Sequence, residues 1–158
     1  MTKFAPNLAS RPEPITDNTL RQFQGYRIKR AFMVIQSDLT RVLNDLDLRM
    51  LTYSTLLMIV ENPGLRQSQL SDALKIERPN LVVIIDELES RGLILRERME
   101  HDRRAYALLP TLEGNRLAQK AVDAVRIHEA RLTAGISDDE LAQLNNILAR
   151  IERNGASA

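Results

Sequence analysis

The chain has no cysteine in its 158 residues. That absence removes disulfides, thiolate metal sites and thiol-based redox sensing together, and an intracellular, cytoplasmic location is expected. Long hydrophobic runs are missing too. None approaches the about 18–20 apolar residues that a membrane-spanning helix needs. The opening stretch MTKFAPNLASRPEPITDN also lacks the continuous apolar segment of a signal peptide, so no membrane association is expected. Nor is there an excess of one charge: 22 Lys and Arg stand against 21 Asp and Glu, a net +1. A strongly basic balance would by itself point to nucleic acid; here any such case rests on where the charges stand. Histidine occurs only at the separated positions His101 and His128, which argues against a dedicated transition-metal site. No Ser/His/Asp or Cys/His set, phosphate-cradling glycine loop or cluster of metal ligands appears, so neither an enzyme nor a bound metal or cofactor is expected.

What is present is ordinary for a globular domain, 44% apolar and 27% charged residues on a chain long enough for one core. Residues 1–15 carry Pro6, Pro12 and Pro14 among polar neighbours and read as an extended or disordered arm. Residues 16–158 read as a single domain. Thr16 or Asp17 can cap a long helix reaching to about residue 47, with Leu20, Phe23, Ile28, Phe32, Ile35, Leu39, Val42, Leu43 and Leu46 at helical spacing. Thr52 then opens a short helix that Pro63-Gly64 stops. Arg66–Leu74 is a second, with Leu70, Ala73 and Leu74 on one face. A third follows after Glu77 as cap, with Pro79 in its first turn, where a missing N–H costs nothing. Leu81, Ile84, Ile85 and Leu88 form its inward stripe, and Gly92 ends it. LILRER and RAYALL read as a β-hairpin with Met99–Asp102 at the tip. Thr111 caps another long helix ending near Gly135, and Ser137 with Glu140 forms a capping box for the last.

The fold class is therefore mostly α with a small β-hairpin. Two short helices joined by the tight LKIE connection and followed by a hairpin make a winged helix-turn-helix, here over residues 52–110. Its mechanics are specific: an α-helix fits the major groove, and its N-terminal residues meet base edges. The hairpin beside it can reach the backbone or the adjoining minor groove.

At SQLSDALKIERPNLVVIIDELESRGLILRERMEHDRRAYALLPTLEG the sequence resembles the MarR family of bacterial transcription regulators. The Asp-x-Arg wing signature stands at Asp102-Arg103-Arg104-Ala105, followed by Thr-x-x-Gly at Thr111-Leu112-Glu113-Gly114. Leu88-Glu89-Ser90-Arg91-Gly92-Leu93 matches the family's junction between recognition helix and wing. The resemblance covers about residues 20–152 and implies a ligand-responsive DNA-binding regulator, most simply a repressor. It further implies that the helices over 16–47 and 111–152 build a homodimer. One departure is Arg66, where the family often has Ser or Thr, which leaves Ser68 or Gln67 for the first helix's phosphate contact, with Gln69 beside them.

Asp102 and Arg104 are two apart, so on an extended strand they point to one side. The carboxylate can then orient the guanidinium for a narrow, A·T-rich minor groove of enhanced negative potential. Arg104 is assigned to that groove, and Arg103, Arg96 or Arg98 to nearby phosphates. The alternative is a solvated hairpin with routine surface ion pairs. In the recognition helix Arg78 suits guanine and Asn80 adenine, beside Pro79. Val82 and Val83 cannot both join the inward stripe, and an outward one could meet a thymine methyl. Between residues 66 and 104 acidic and basic side chains balance, so Asp86 and Glu87 need to point away from phosphates.

One recognition helix touches too few base pairs for a useful specificity ratio. Leu117, Val122, Val125, Leu132, Leu141, Leu144, Leu148 and Ile151 are more apolar surface than one small lobe can hide. A two-fold homodimer predicts a pseudo-palindromic operator in double-stranded DNA, with half-site centres roughly 34–36 Å apart. Many family members release DNA when a small molecule binds between the dimer region and the DNA-binding lobe. Candidate ligand contacts are Tyr26, Arg27, Arg30, Phe32, Met33, Met50, Tyr53 and His128. Arg27, Lys29 and Arg30 could attract an anion, either an aromatic acid or its CoA thioester; the alternative is a solvated helix face. A winged-helix module used only for protein contacts, without specific DNA binding, is the competing reading, kept open by the near-neutral charge.

Overall fold

The computed structural model describes residues 15–99 and 102–156, without the side chains of Met99 and residues 102–105. The arm expected over 1–15, apart from Ile15, and His101 at the hairpin tip lie outside the described residues. The chain divides into two units inside its first helix, after Gln36.

In the first unit a 3-10 turn, Leu20–Gln22, precedes α1, Gln24–Asn44. The helix expected from Thr16 or Asp17 thus begins later. Phe23 takes extended backbone angles after donating its N–H to the Leu20 carbonyl. Asp17 does not cap the helix: its carboxylate accepts from Arg21 Nε at 2.6 Å and from the Tyr26 hydroxyl at 2.7 Å. Those two donors hold the Asp17 carboxyl below its ordinary range, and the bond to that carboxylate pushes the Tyr26 phenol up.

The second unit starts with the last turns of α1 and continues through α2, Met50–Glu61. Thr52, expected to open α2, is buried inside it, and Arg49 stands at the N-cap. A two-residue strand β1, Leu65–Arg66, follows Gly64, whose φ of 93° suits a residue without Cβ. Then come α3, Gln67–Leu74, and α4, Arg78–Ser90. The hairpin is β2, Ile94–Met99, and β3, Asp102–Pro110, antiparallel in the register Leu95↔Leu109 and Glu97↔Ala107. β1 pairs with the outer side of β3, so the sheet has three strands in the order β1-β3-β2. Last come α5, Leu112–Leu132, and α6, Asp138–Ala156.

The main core gathers Leu56 and Ile59 of α2, Leu70 of α3, the α4 stripe Leu81, Ile84, Ile85 and Leu88, and Leu93, Ile94, Leu108 and Ala118. Helical periodicity placed the α4 stripe correctly. On α3 the inward face turns by one position: Ala73 is exposed, and Ser71 is buried in its place. The Ser71 hydroxyl donates to the Ile76 carbonyl at 2.7 Å across the turn between α3 and α4, where Lys75 takes a left-handed conformation. A smaller core joins Leu43, Leu48 and Ala121, with Met50, Tyr53 and Val125 against it.

Both sequence-read caps on the last two helices are present. Thr111 Oγ1 accepts from Gly114 N at 3.0 Å. Ser137 N donates to Glu140 Oε2 at 2.8 Å, while Glu140 N reaches back to Ser137 Oγ at 3.4 Å. α6 buries none of its residues and presents Leu144, Ile147 and Ile151 to solvent. Among the described residues no helix is long and apolar enough to cross a membrane.

Candidate nucleic-acid interface

The candidate reading helix is α4. Its inward stripe is fixed in the core, so the opposite face is fixed outward. Arg78, Pro79 and Asn80 make its exposed first turn, and Glu77 holds the N-cap position without a side-chain hydrogen bond. Val82 and Val83 are both outward, 41% and 64% exposed. Neither joins the core, so both are open to an external apolar group. Helix α3 lies N-terminal to it with Ser68 and Gln69 exposed. Gln69 Oε1 accepts from Arg66 N at 2.9 Å, the reaching-back half of a capping box, while the half that a Ser or Thr hydroxyl at position 66 would supply is not made.

The acids of α4 follow the two valines by one turn, and each has a cationic partner. Glu87 bonds Arg49 at the start of α2 and lies 3.6 Å from Arg91 Nη1. Asp86 bonds Arg96 of β2, whose Nε stands 3.4 Å from Glu89 Oε2. That last contact is an ion pair without hydrogen-bond alignment, since Arg96 Nε has no hydrogen-bond partner. Arg96 therefore departs from expectation: assigned to a phosphate, it is turned inward onto α4. Arg98, two residues further along β2, is exposed. Asp102, Arg103 and Arg104 continue on β3, and their side chains lie outside the described residues.

The candidate ligand residues fall in both units. In the first, Tyr26 is tied to Asp17, and Arg27 Nε donates to the Arg21 carbonyl at 2.6 Å. Arg30, Phe32 and Met33 are exposed. In the second, Met50 and Tyr53 are half-buried on the smaller core, where burial pushes the Tyr53 phenol up. His128 has a side chain 0% exposed, and its Nδ1 lies 2.8 Å from Asp38 Oδ2. Asp38 also takes bonds from Arg41 and Arg131. Nε2 of His128 is buried without a partner. Asp38 and Arg131 were missed, although Asp38 interrupts the apolar row Ile35, Leu39, Val42, a signal that a helical acid is headed inward with a partner.

A recognition helix, a helix before it that meets it across a tight turn, and a sheet-borne hairpin define a winged helix-turn-helix protein, the architecture of DNA-binding regulators. The MarR family model matches residues 48–106. A solved structure of the transcriptional repressor CouR bound to a 23-mer DNA duplex is 34% identical, with a TM-score of 0.83, over 88% of this chain and 99% of that one. CouR bound to p-coumaroyl-CoA is 33% identical, with a TM-score of 0.78, over 89% and 99%. A putative transcriptional regulatory protein for the hcr operon of Thauera aromatica is 36% identical over 101 residues, 64% of this chain and 61% of that protein. The chain belongs to the MarR family of transcriptional regulators.

Proposed function

We propose that the chain is a cytoplasmic repressor that binds a pseudo-palindromic operator as a homodimer and leaves it when a small anionic organic effector, an aromatic acid or its CoA thioester, is bound. The observation that carries the reading is the face of α4: Arg78, Asn80, Val82 and Val83 outward, opposite a stripe that is wholly core. Arg78 would read guanine, Asn80 adenine and a valine the thymine methyl. Arg104, oriented by Asp102, would enter the minor groove; Ser68, Gln69, Arg98 and Arg103 would take phosphates. The apolar row on α6 favours a two-fold partner, since a helix that buries nothing in its own subunit has that face left to cover. The effector class is supported by a 33%-identical relative bound to p-coumaroyl-CoA and by exposed Arg27 and Arg30 on α1.

The test is titration of the chain onto duplexes from its own upstream region, with and without p-coumarate and p-coumaroyl-CoA. The expected result is two subunits per duplex, a steep fall of affinity with salt, and release by one of the two compounds. A module for protein contacts alone would bind specific and scrambled duplexes equally weakly. Binding that neither compound alters would remove the effector assignment and leave the operator one standing.

A further inference from the structure

We infer that Arg96 is a positioning residue for DNA binding: it clamps the wing to the recognition helix through Asp86 and Glu89 and does not contact phosphate. The inference rests on the chain's DNA-binding role and adds a residue to it that acts from inside the protein. Arg96 lies on β2, ten residues beyond Asp86 in sequence, and its guanidinium crosses back to α4 to meet the Asp86 carboxylate. Its Nε is buried and sits 3.4 Å from Glu89 Oε2. Asp86 and Glu89 are three apart and share one flank of the helix, so one planar guanidinium spans both. The side chain is 27% exposed, against 57% for Asp86. The cation is thus the more enclosed partner, and it is poorly placed for an external phosphate.

Two consequences follow. The hairpin and α4 meet DNA as separate elements, and their relative placement decides whether both fit at once. Between them the covalent path runs through Arg91 and Gly92, the latter at a positive φ of 68°. The core contacts of Leu93, Ile94 and Leu108 hold the base of the hairpin on α4, and the cross-link from the middle of β2 to the third turn of α4 adds a tie nearer the tip. The same contact also neutralises an acid one turn beyond Val82, on the exposed side of the helix, where an unpaired carboxylate would repel the DNA backbone.

This produces an unusual sign. Removing a negative charge from a DNA-binding surface ordinarily strengthens binding; removing Asp86 should weaken it, because the clamp goes with it. Specific affinity would be measured by fluorescence anisotropy on a duplex enriched by the wild-type chain from a random DNA library. A scrambled duplex serves as reference, and salt is varied. Arg96→Ala and Asp86→Asn should each lose specific affinity by about tenfold, with the log–log salt slope unchanged, since no phosphate contact is lost. The exchange Arg96→Asp with Asp86→Arg should recover affinity to within about threefold of wild type, because it rebuilds the pair in reverse. Asp86 is exposed enough for Asp86→Asn to fold, and a melting curve checks this. Tighter binding by Asp86→Asn overturns the inference. So does a salt slope shallower by about one ion in Arg96→Ala with no recovery in the exchange, for then Arg96 holds a phosphate. Failure of the wild-type chain to enrich any duplex removes the DNA-binding role itself, and the clamp with it.

Discussion

Adding a single methyl group at Gly114 should cost about as much stability as deleting a large core side chain. Gly114 is buried in the first turn of α5, and a Cβ built there would stand 1.9 Å from the Leu93 carbonyl oxygen and 2.9 Å from its carbon. Both are backbone atoms, so neither can swing aside. Relief requires α5 to back away from the junction between α4 and β2. That junction is closed by Thr111, whose hydroxyl donates to the Gly92 carbonyl at 2.7 Å and whose N–H donates to the Leu93 carbonyl at 3.0 Å. Alanine gains about 1 kcal/mol in helix propensity over glycine. Against this stand overpacking of about 1–3 kcal/mol and two hydrogen bonds worth about 1 kcal/mol each. The net loss for Gly114→Ala is about 2–4 kcal/mol, which for a chain of this size lowers the melting temperature by about 5–15 °C. Circular dichroism melts at one fixed concentration read it, since melting of an oligomer depends on concentration. Gly155→Ala in α6, where a Cβ meets nothing within 4 Å, is the control and should stabilise by up to about 1 kcal/mol. Should Gly114→Ala melt at or above the wild type while the control behaves, the account of the Thr-x-x-Gly segment is wrong.

Three further outcomes can be measured. Asp38→Ala strips the hydrogen-bond partner from buried His128 and the counter-charge from Arg131 and Arg41 and should cost about 3 kcal/mol, near the low end for a broken buried pair because both arginines reach water; denaturant melts give the figure. The Ser137 N–H and hydroxyl hold the Glu140 carboxyl below its ordinary 4.5. A depressed pKa stabilises above the unfolded value and the benefit disappears as pH falls through the folded one. Amides in the first turn of α6 should therefore lose exchange protection on acidification below 4.5 in the wild type, and Glu140→Gln should show no such change. Arg78→Ala should relax base preference at one operator position by about 1–3 kcal/mol with little effect on non-specific binding; equal losses on specific and scrambled duplexes would make Arg78 a phosphate contact instead.

The sequence makes visible whatever repeats or sits at a chain-local offset. The α4 stripe repeats at the helical period, and Ser137 and Glu140 are three apart, so both could be read directly. Strand β1 has two residues, too few for any alternation to register, and it exists only because β3 offers an unpaired edge beside it. The partner of Arg96 is likewise invisible: Asp86 lies across a helix end and a left-handed glycine, and only the fold brings it within reach. His128 illustrates the intermediate case. Its burial needed Asp38, 90 residues away, and the hint was the acid's place in an apolar row. Gly114 was legible as part of a motif, whereas its cause, the backbone of Leu93, was not.

A net charge of +1 is a weak attractant for DNA, and the pairing on α4 explains how it can suffice. A carboxylate against a guanidinium presents a dipole, whose field fades well inside the roughly 8–10 Å over which solution ions screen a bare charge. Glu87 with Arg49 and Arg91, and Asp86 and Glu89 with Arg96, are therefore nearly silent at the surface. Arg78 has no acidic partner among the described residues, and it stands at the helix N-terminus, which carries a further partial positive charge. An unpaired cation thus stands where bases would be read, beside acids whose charge is already matched. Sequence-independent attraction scales with the number of phosphates neutralised, whereas discrimination depends on a few base contacts. A chain with little net charge loses affinity for every duplex alike and keeps the ratio between the right one and the rest.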